Sequence, residues 1–276
     1  MSVMTGCAAT GPAKESPDAS RAYNLANAAG IEARDTVLGA EEYNSAIGSM
    51  VDVSANTLLL RSSTGLGMSD WGSFGAGLAM SMLSLPGTAE RNSLFGWMPV
   101  DLASNDQEAQ KVFANTYAQA AIDYFEASNT EYFQEFDEPV KVDQGMIRSI
   151  ALIAPDLGCP DLSKMIDGKR GVTHDDAKEM CLAVFIAKEP RRSNVEPPEV
   201  LEHSGPVYQF SAGHKTQYSR FLLALPNQAE IDPVSIAQGI SAYLPDWAFI
   251  YLASERKTNP AVVLDHGKAQ LFIKKG

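Results

Sequence analysis

DPVSIAQGISAYLPDWAFIYLA, residues Asp232 to Ala253, is the stretch on which the architecture turns. Asp232 is a strong N-cap type, and Pro233 follows at the first helical position, where a missing N–H costs nothing. These two residues predict a helix to about Tyr243, which Pro245 prevents from continuing. Trp247 to Ala253 then reads as a strand. Downstream, Ala261 to Leu264 and Ala269 to Ile273 flank Asp265-His266-Gly267-Lys268, a hairpin turn. Upstream lie two more strand-like runs, Val207 to Ser211 and Phe221 to Leu225. The order strand, strand, helix, strand, strand, strand predicts a compact α+β packing of layers.

Working outward, Ile147 to Ala154 and Leu182 to Ala187 are also β-rich, and turn residues separate all these runs. The region 140–276 therefore reads as α+β with mixed or antiparallel strands. Its stretch 189–206 holds Pro190, Pro197, Pro198 and Pro206 and is a possible linker. The region 21–139 has a different texture. Ser20 to Ala33 is rich in Ala and Asn, and Glu41 to Met50 continues the helical pattern. Ser104 can cap a helix in which Val112, Tyr117, Ala120, Ala121, Tyr124 and Phe125 recur at helical spacing, with Asp106 and Glu108 in its first turn. The expected fold class is thus α+β, a mainly helical N-terminal half followed by the α+β half. Residues 1–20 read as a signal remnant, lipidation site and tether. There is no internal repeat and no low-complexity tract.

At 276 residues, 45% of them hydrophobic and 20% charged, the chain can bury one large core or two ordinary ones. Its formal net charge of −12 opposes the phosphate neutralisation that nucleic-acid binding depends on. It equally opposes attraction to anionic lipid, so any membrane contact has to come from apolar insertion or a covalent lipid.

Met4-Thr5-Gly6-Cys7 ends in a cysteine and is followed by a small, polar, Pro-containing stretch from Ala8 to Ser20. These four residues resemble the lipobox of bacterial lipoproteins. The resemblance implies that Cys7 is acylated, that Ala8 to Ser20 tether the folded part, and that the partners include the membrane. Ala8 in place of an aspartate after the cysteine resembles the default for outer-membrane sorting, with the folded part in the periplasm or at the cell surface. Export would leave Cys159 and Cys181 as an even pair in an oxidising space, so a disulfide is expected between them. Closing that loop would stabilise by roughly 3 kcal/mol. There is no CxxC and no second Cys/His pair at ligand spacing, so no metal site is expected.

Trp71 to Thr88 carries no charge. As a helix it would align Ser73, Gly77, Ser81 and Ser84 on one stripe and Trp71, Phe74, Leu78, Met82 and Leu85 on another, with Phe95 and Trp97 close behind. A small-residue stripe lets helices approach closely, and flanking aromatics suit an interface. Trp71 to Leu85 would be only about 22 Å long, short of a hydrocarbon core of about 30 Å. The segment is therefore expected to pack against helices of this chain or of other copies, or to touch the membrane without spanning it.

No catalytic motif is legible. Gly65, Gly67 and Gly72 fit neither phosphate-binding spacing. No serine sits in a G-x-S-x-G elbow and no H-E-x-x-H occurs. His174, His203, His214 and His266 are dispersed in polar contexts. Glu131, Glu135, Asp137 and Glu138, interleaved with Tyr132, Phe133 and Phe136, could bind a cation or serve as paired carboxylates. The plainer account is an amphipathic helix end with its carboxylates in water. No catalytic residue, cofactor or metal ligand is assigned. The leading expectation is a non-enzymatic, lipid-anchored subunit of a secretion, conjugation or surface-exclusion type assembly, contacting other envelope proteins or copies of itself. The alternative is a lipid-anchored hydrolase whose base is one of the histidines.

Overall fold

The structure, a computed structural model, describes residues 13–40, 88–134, 136–159, 180–214, 216–225, 232–253 and 261–276. Among them are three α-helices: α1 (Arg21–Ala28), α2 (Asp106–Ala127) and α3 (Pro233–Ser241). The strands are β1 (Thr36–Leu38), β2 (Ser93–Pro99), β3 (Glu131–Phe133), β4 (Val140–Val142), β5 (Gly145–Ile153), β6 (Cys181–Ala187) and β7 (Arg192–Val195). They continue with β8 (Val207–Phe210), β9 (Arg220–Ala224), β10 (Ala248–Leu252), β11 (Val262–Asp265), β12 (Lys268–Leu271) and β13 (Ile273–Lys275).

Two antiparallel sheets dominate. One runs β12-β11-β10-β2-β8-β7, and the other runs β3-β5-β6-β9 with β4 sharing the β5 edge that β3 uses. β1 and β13 form a separate parallel pair. Helix α2 packs between the sheets. Its Phe113 stacks on Phe210 of β8 at 3.8 Å, and its Tyr117 lies beside Phe185 of β6. Strand alternation sorts the side chains into layers. Leu94 and Met98 of β2, Ile250 of β10, and Ala183 and Phe185 of β6 face the helix-filled core. Phe95, Trp97, Phe249 and Tyr251 face the opposite side of the six-stranded sheet, where α1 covers them. Leu182, Val184 and Ile186 turn to the far side of the five-stranded sheet.

The expected helical N-terminal half is overturned. The described residues are mostly β, α1 is a short helix, and the next described helix begins only at Asp106. Ser93–Pro99 is a central strand bonded to β10 and β8. Every side chain from Ser93 to Met98 is buried, so the run lacks the period-two alternation that marks a half-exposed strand. Phe95 and Trp97 belong to an aromatic cluster with Phe249. Glu131 to Phe133 is also a strand. Helix α2 ends at Ala127 because Asn129 turns the chain left-handed at φ 53°, a conformation asparagine tolerates. The stretch 189–206 contains edge strand β7 and a loop that buries Val200 and Leu201.

The C-terminal unit follows its local signals. Asp232 caps α3 by accepting from the Val234 and Ser235 N–H groups. The β11–β12 hairpin closes through His266 and Gly267, both at positive φ, as a type I′ turn requires. The cap of α2 is shifted by one residue. Asn105 accepts from the Glu108 N–H, while the Ser104 N–H and hydroxyl donate to the Glu108 carboxylate and hold its pKa below the ordinary range.

Candidate functional site

Helix α2 presents Asn115, Thr116, Gln119 and Asp123 along one side, the spacing that returns a residue to the same face at each turn. These side chains, with Gln134, Asp137, Arg148 and Tyr243, line an open cleft of about 670 Å³. The volume suits a small ligand. Arg148 enters from β5. Like Met146 and Ile150, it points inward, so the strand register forces a guanidinium against the helix.

Arg148 is only 5% exposed. Its Nη1 donates to Asn115 Oδ1 at 3.2 Å and to the Asp137 carbonyl, and its Nη2 donates to Gln134 Oε1 at 2.7 Å. All three acceptors are neutral. Among the described residues no carboxylate lies within ion-pair distance of it, and Nε is buried without a hydrogen-bond partner. An orphaned buried donor costs about 1–3 kcal/mol. Burial lowers the guanidinium pKa, while the nearby Asp137 and Glu138 charges raise it in opposition; an arginine remains cationic throughout. At the far end of the cleft, Gln119 Nε2 donates to Asp123 Oδ1 at 2.8 Å.

Sequence reasoning missed this site. The acidic-aromatic cluster was its nearest signal, but the structure disperses that cluster. Glu138 pairs with Lys111, Asp137 borders the cleft, Phe136 is exposed, and Glu135 lies outside the described residues. Arg148 itself sits inside a run read simply as a strand, and a single arginine there carries no spacing signal.

Cys159 and Cys181 form a disulfide with a Cα–Cα distance of 5.5 Å, and both residues are buried. Cys7, Gly65, Gly67, His174, and the apolar-segment residues Trp71, Phe74, Gly77, Leu78, Ser81, Met82 and Leu85 lie outside the described residues. His203 is exposed in a loop, whereas His214 and His266 serve structural ends. His214 Nδ1 accepts from the Thr216 and Gln217 N–H groups in a turn. His266 lies between Asp246, 2.8 Å from Nε2, and Asp265, 2.6 Å from Nδ1; Asp265 in turn accepts from Arg21 Nε and ties α1 to the hairpin. Elsewhere Arg91 stacks on Tyr218 at 3.6 Å, donates to the Ala212 and His214 carbonyls, and so fastens that loop to β2. Among the described residues, no three His, Cys, Asp or Glu side chains are placed to hold a metal, and no helix is long and apolar enough to cross a membrane.

Fold and site together define a class: a disulfide-bonded, mostly β body of two antiparallel sheets with a polar cleft built around a buried arginine. No family model, curated protein or solved structure matches the chain.

Proposed function

We propose that this chain is a non-enzymatic envelope lipoprotein, anchored in the outer membrane through Cys7, whose folded part serves as an interaction subunit of a membrane-associated assembly. The observation that carries the reading is the Cys159–Cys181 bond, because disulfides persist in oxidising compartments and are rare where thiols are kept reduced. The lipobox-like Met4-Thr5-Gly6-Cys7 supplies the anchor. The tether is docked before it reaches α1. The Glu199 N–H donates to the Ala13 carbonyl, and Asn24 exchanges hydrogen bonds with the backbone of Ser16. Six residue steps separate Cys7 from Ala13 and span at most about 20 Å, so an anchor at Cys7 would hold the body close to the bilayer.

Metabolic labelling with a fatty-acid analogue, followed by envelope fractionation, tests the reading. The wild type is expected to carry label in the outer-membrane fraction, and Cys7→Ser is expected to lose it. Crosslinking in intact cells is then expected to capture envelope proteins or further copies of the chain. Equal labelling of both forms, or free thiols at 159 and 181 in protein taken directly from cells, would overturn it.

A further inference from the structure

The geometry points to a ligand: the cleft beside α2 binds a short peptide with free termini, about three residues long, with its C-terminal carboxylate toward Arg148 and its N-terminal ammonium toward Asp123. This inference is independent of the anchor at Cys7.

Arginine has no acceptor, so Asn115 and Gln134 must offer it their amide oxygens. Each amide NH2 is thereby turned to another partner, and no acceptor among the described residues takes it. Arg148 has five N–H donors and three acceptors, which leaves one Nη2 hydrogen over besides the fully buried Nε–H. This end of the cleft is consequently rich in donors around a cation that no described carboxylate pairs. It suits an anionic acceptor, and Arg–carboxylate bonds are the strong, charge-assisted kind.

The other charges select which anion. Asp123 and Asp137 also line the cleft, so its formal charge with Arg148 is −1. A dianion such as phosphate meets net repulsion, whereas a monoanion bearing its own cation does not. Gln119 occupies Oδ1 of Asp123, and no described donor takes Oδ2, which is left for an ammonium. Asn115 and Asp123 are eight residues apart on one helix, about 12 Å along the axis. That separation is on the order of an extended tripeptide, at about 3.3 Å per residue.

Calorimetric titration of the full chain with trialanine, N-acetyl-trialanine, N-acetyl-trialanine amide and inorganic phosphate tests the proposal. Trialanine is expected to bind saturably, at least about tenfold more tightly than the doubly blocked peptide or phosphate. Arg148→Gln should abolish binding. Because a buried substitution can impair folding, Asp123→Asn, on a half-buried helix position, provides the second arm. It should weaken trialanine by about tenfold and leave N-acetyl-trialanine, which keeps its carboxylate, unaffected. Absence of saturable trialanine binding, equal binding of the blocked peptide, tighter binding of phosphate, or an Asp123→Asn protein that binds trialanine like wild type would each overturn it.

Discussion

Tyr117 shows how much one side chain can settle. Its hydroxyl reaches from α2 into the six-stranded sheet, lies 3.0 Å from the Phe95 carbonyl and 2.8 Å from the Phe249 carbonyl, and accepts from the Phe249 N–H at 3.1 Å. One atom therefore serves backbone groups of two adjacent strands and pins the helix to both. Tyr117→Phe keeps the ring packing but strands those groups in a fully buried place. A loss of about 1–3 kcal/mol is expected, the range for an unsatisfied buried group, measured as a lower urea midpoint with an unchanged slope. An unchanged midpoint would show that the sheet satisfies these groups by itself. Nothing in the local sequence marks Tyr117 for this role. Its helical spacing predicts burial, whereas the partner of its hydroxyl depends on strands far away in the chain.

At the scale of elements, the packing of α3 on α2 depends on Gly239. A Cβ built there would fall 2.2 Å from Cε2 and 2.3 Å from Cζ of Tyr124, well inside contact distance. Two effects oppose each other in Gly239→Ala. Alanine gains about 1 kcal/mol in helix propensity, but overpacking costs about 1–3 kcal/mol. Because the clash is with ring atoms of a fully buried tyrosine, the cost should win and the melting temperature should fall. A rise would mean that the helices separate freely. The ends of α3 were legible because Asp232, Pro233 and Pro245 act within one turn. The identity of β2 was not, since burial on both faces removed its alternation. Helix α2 was legible in its body, yet its sequence does not reveal that the chain beyond Asn129 returns as a strand against β5.

For the whole molecule, alkaline pH probes how completely the layers exclude water. Burial pushes Tyr124 and Tyr251 up to about 12 and Tyr117 well above its ordinary value, while in the unfolded chain each ionises near 10. Between those values the unfolded state has lost protons that the folded state keeps. Stability therefore falls as pH rises from about 10 to 12, by at most about 1.4 kcal/mol per pH unit for each such tyrosine. Urea midpoints between pH 9 and 12 should show this decline. Tyr124→Phe should make it shallower at little cost near neutrality, since the Tyr124 hydroxyl has no hydrogen-bond partner among the described residues. A flat profile would mean that the tyrosines are open to solvent in the native state.

The sequence by itself determined the features whose causes are local or arithmetical. These are the cap and stop of α3, the I′ turn at His266-Gly267, the positions of most C-terminal strands, and the Cys159–Cys181 pair once the third cysteine is set aside. Only the tertiary structure decided which strands share a sheet, that Ser93–Pro99 runs between β10 and β8, and that α2 lies between two sheets. The same holds for the cleft. Arg148 is inward-facing because of strand register, and its acceptors come from α2 and from the 134–137 stretch, brought together by long-range pairing. Caps, prolines and turns act over a few residues, so they can be read along the chain. Burial on both faces of a strand and the meeting of distant polar groups depend on packing energy summed over the whole core, which no short stretch contains.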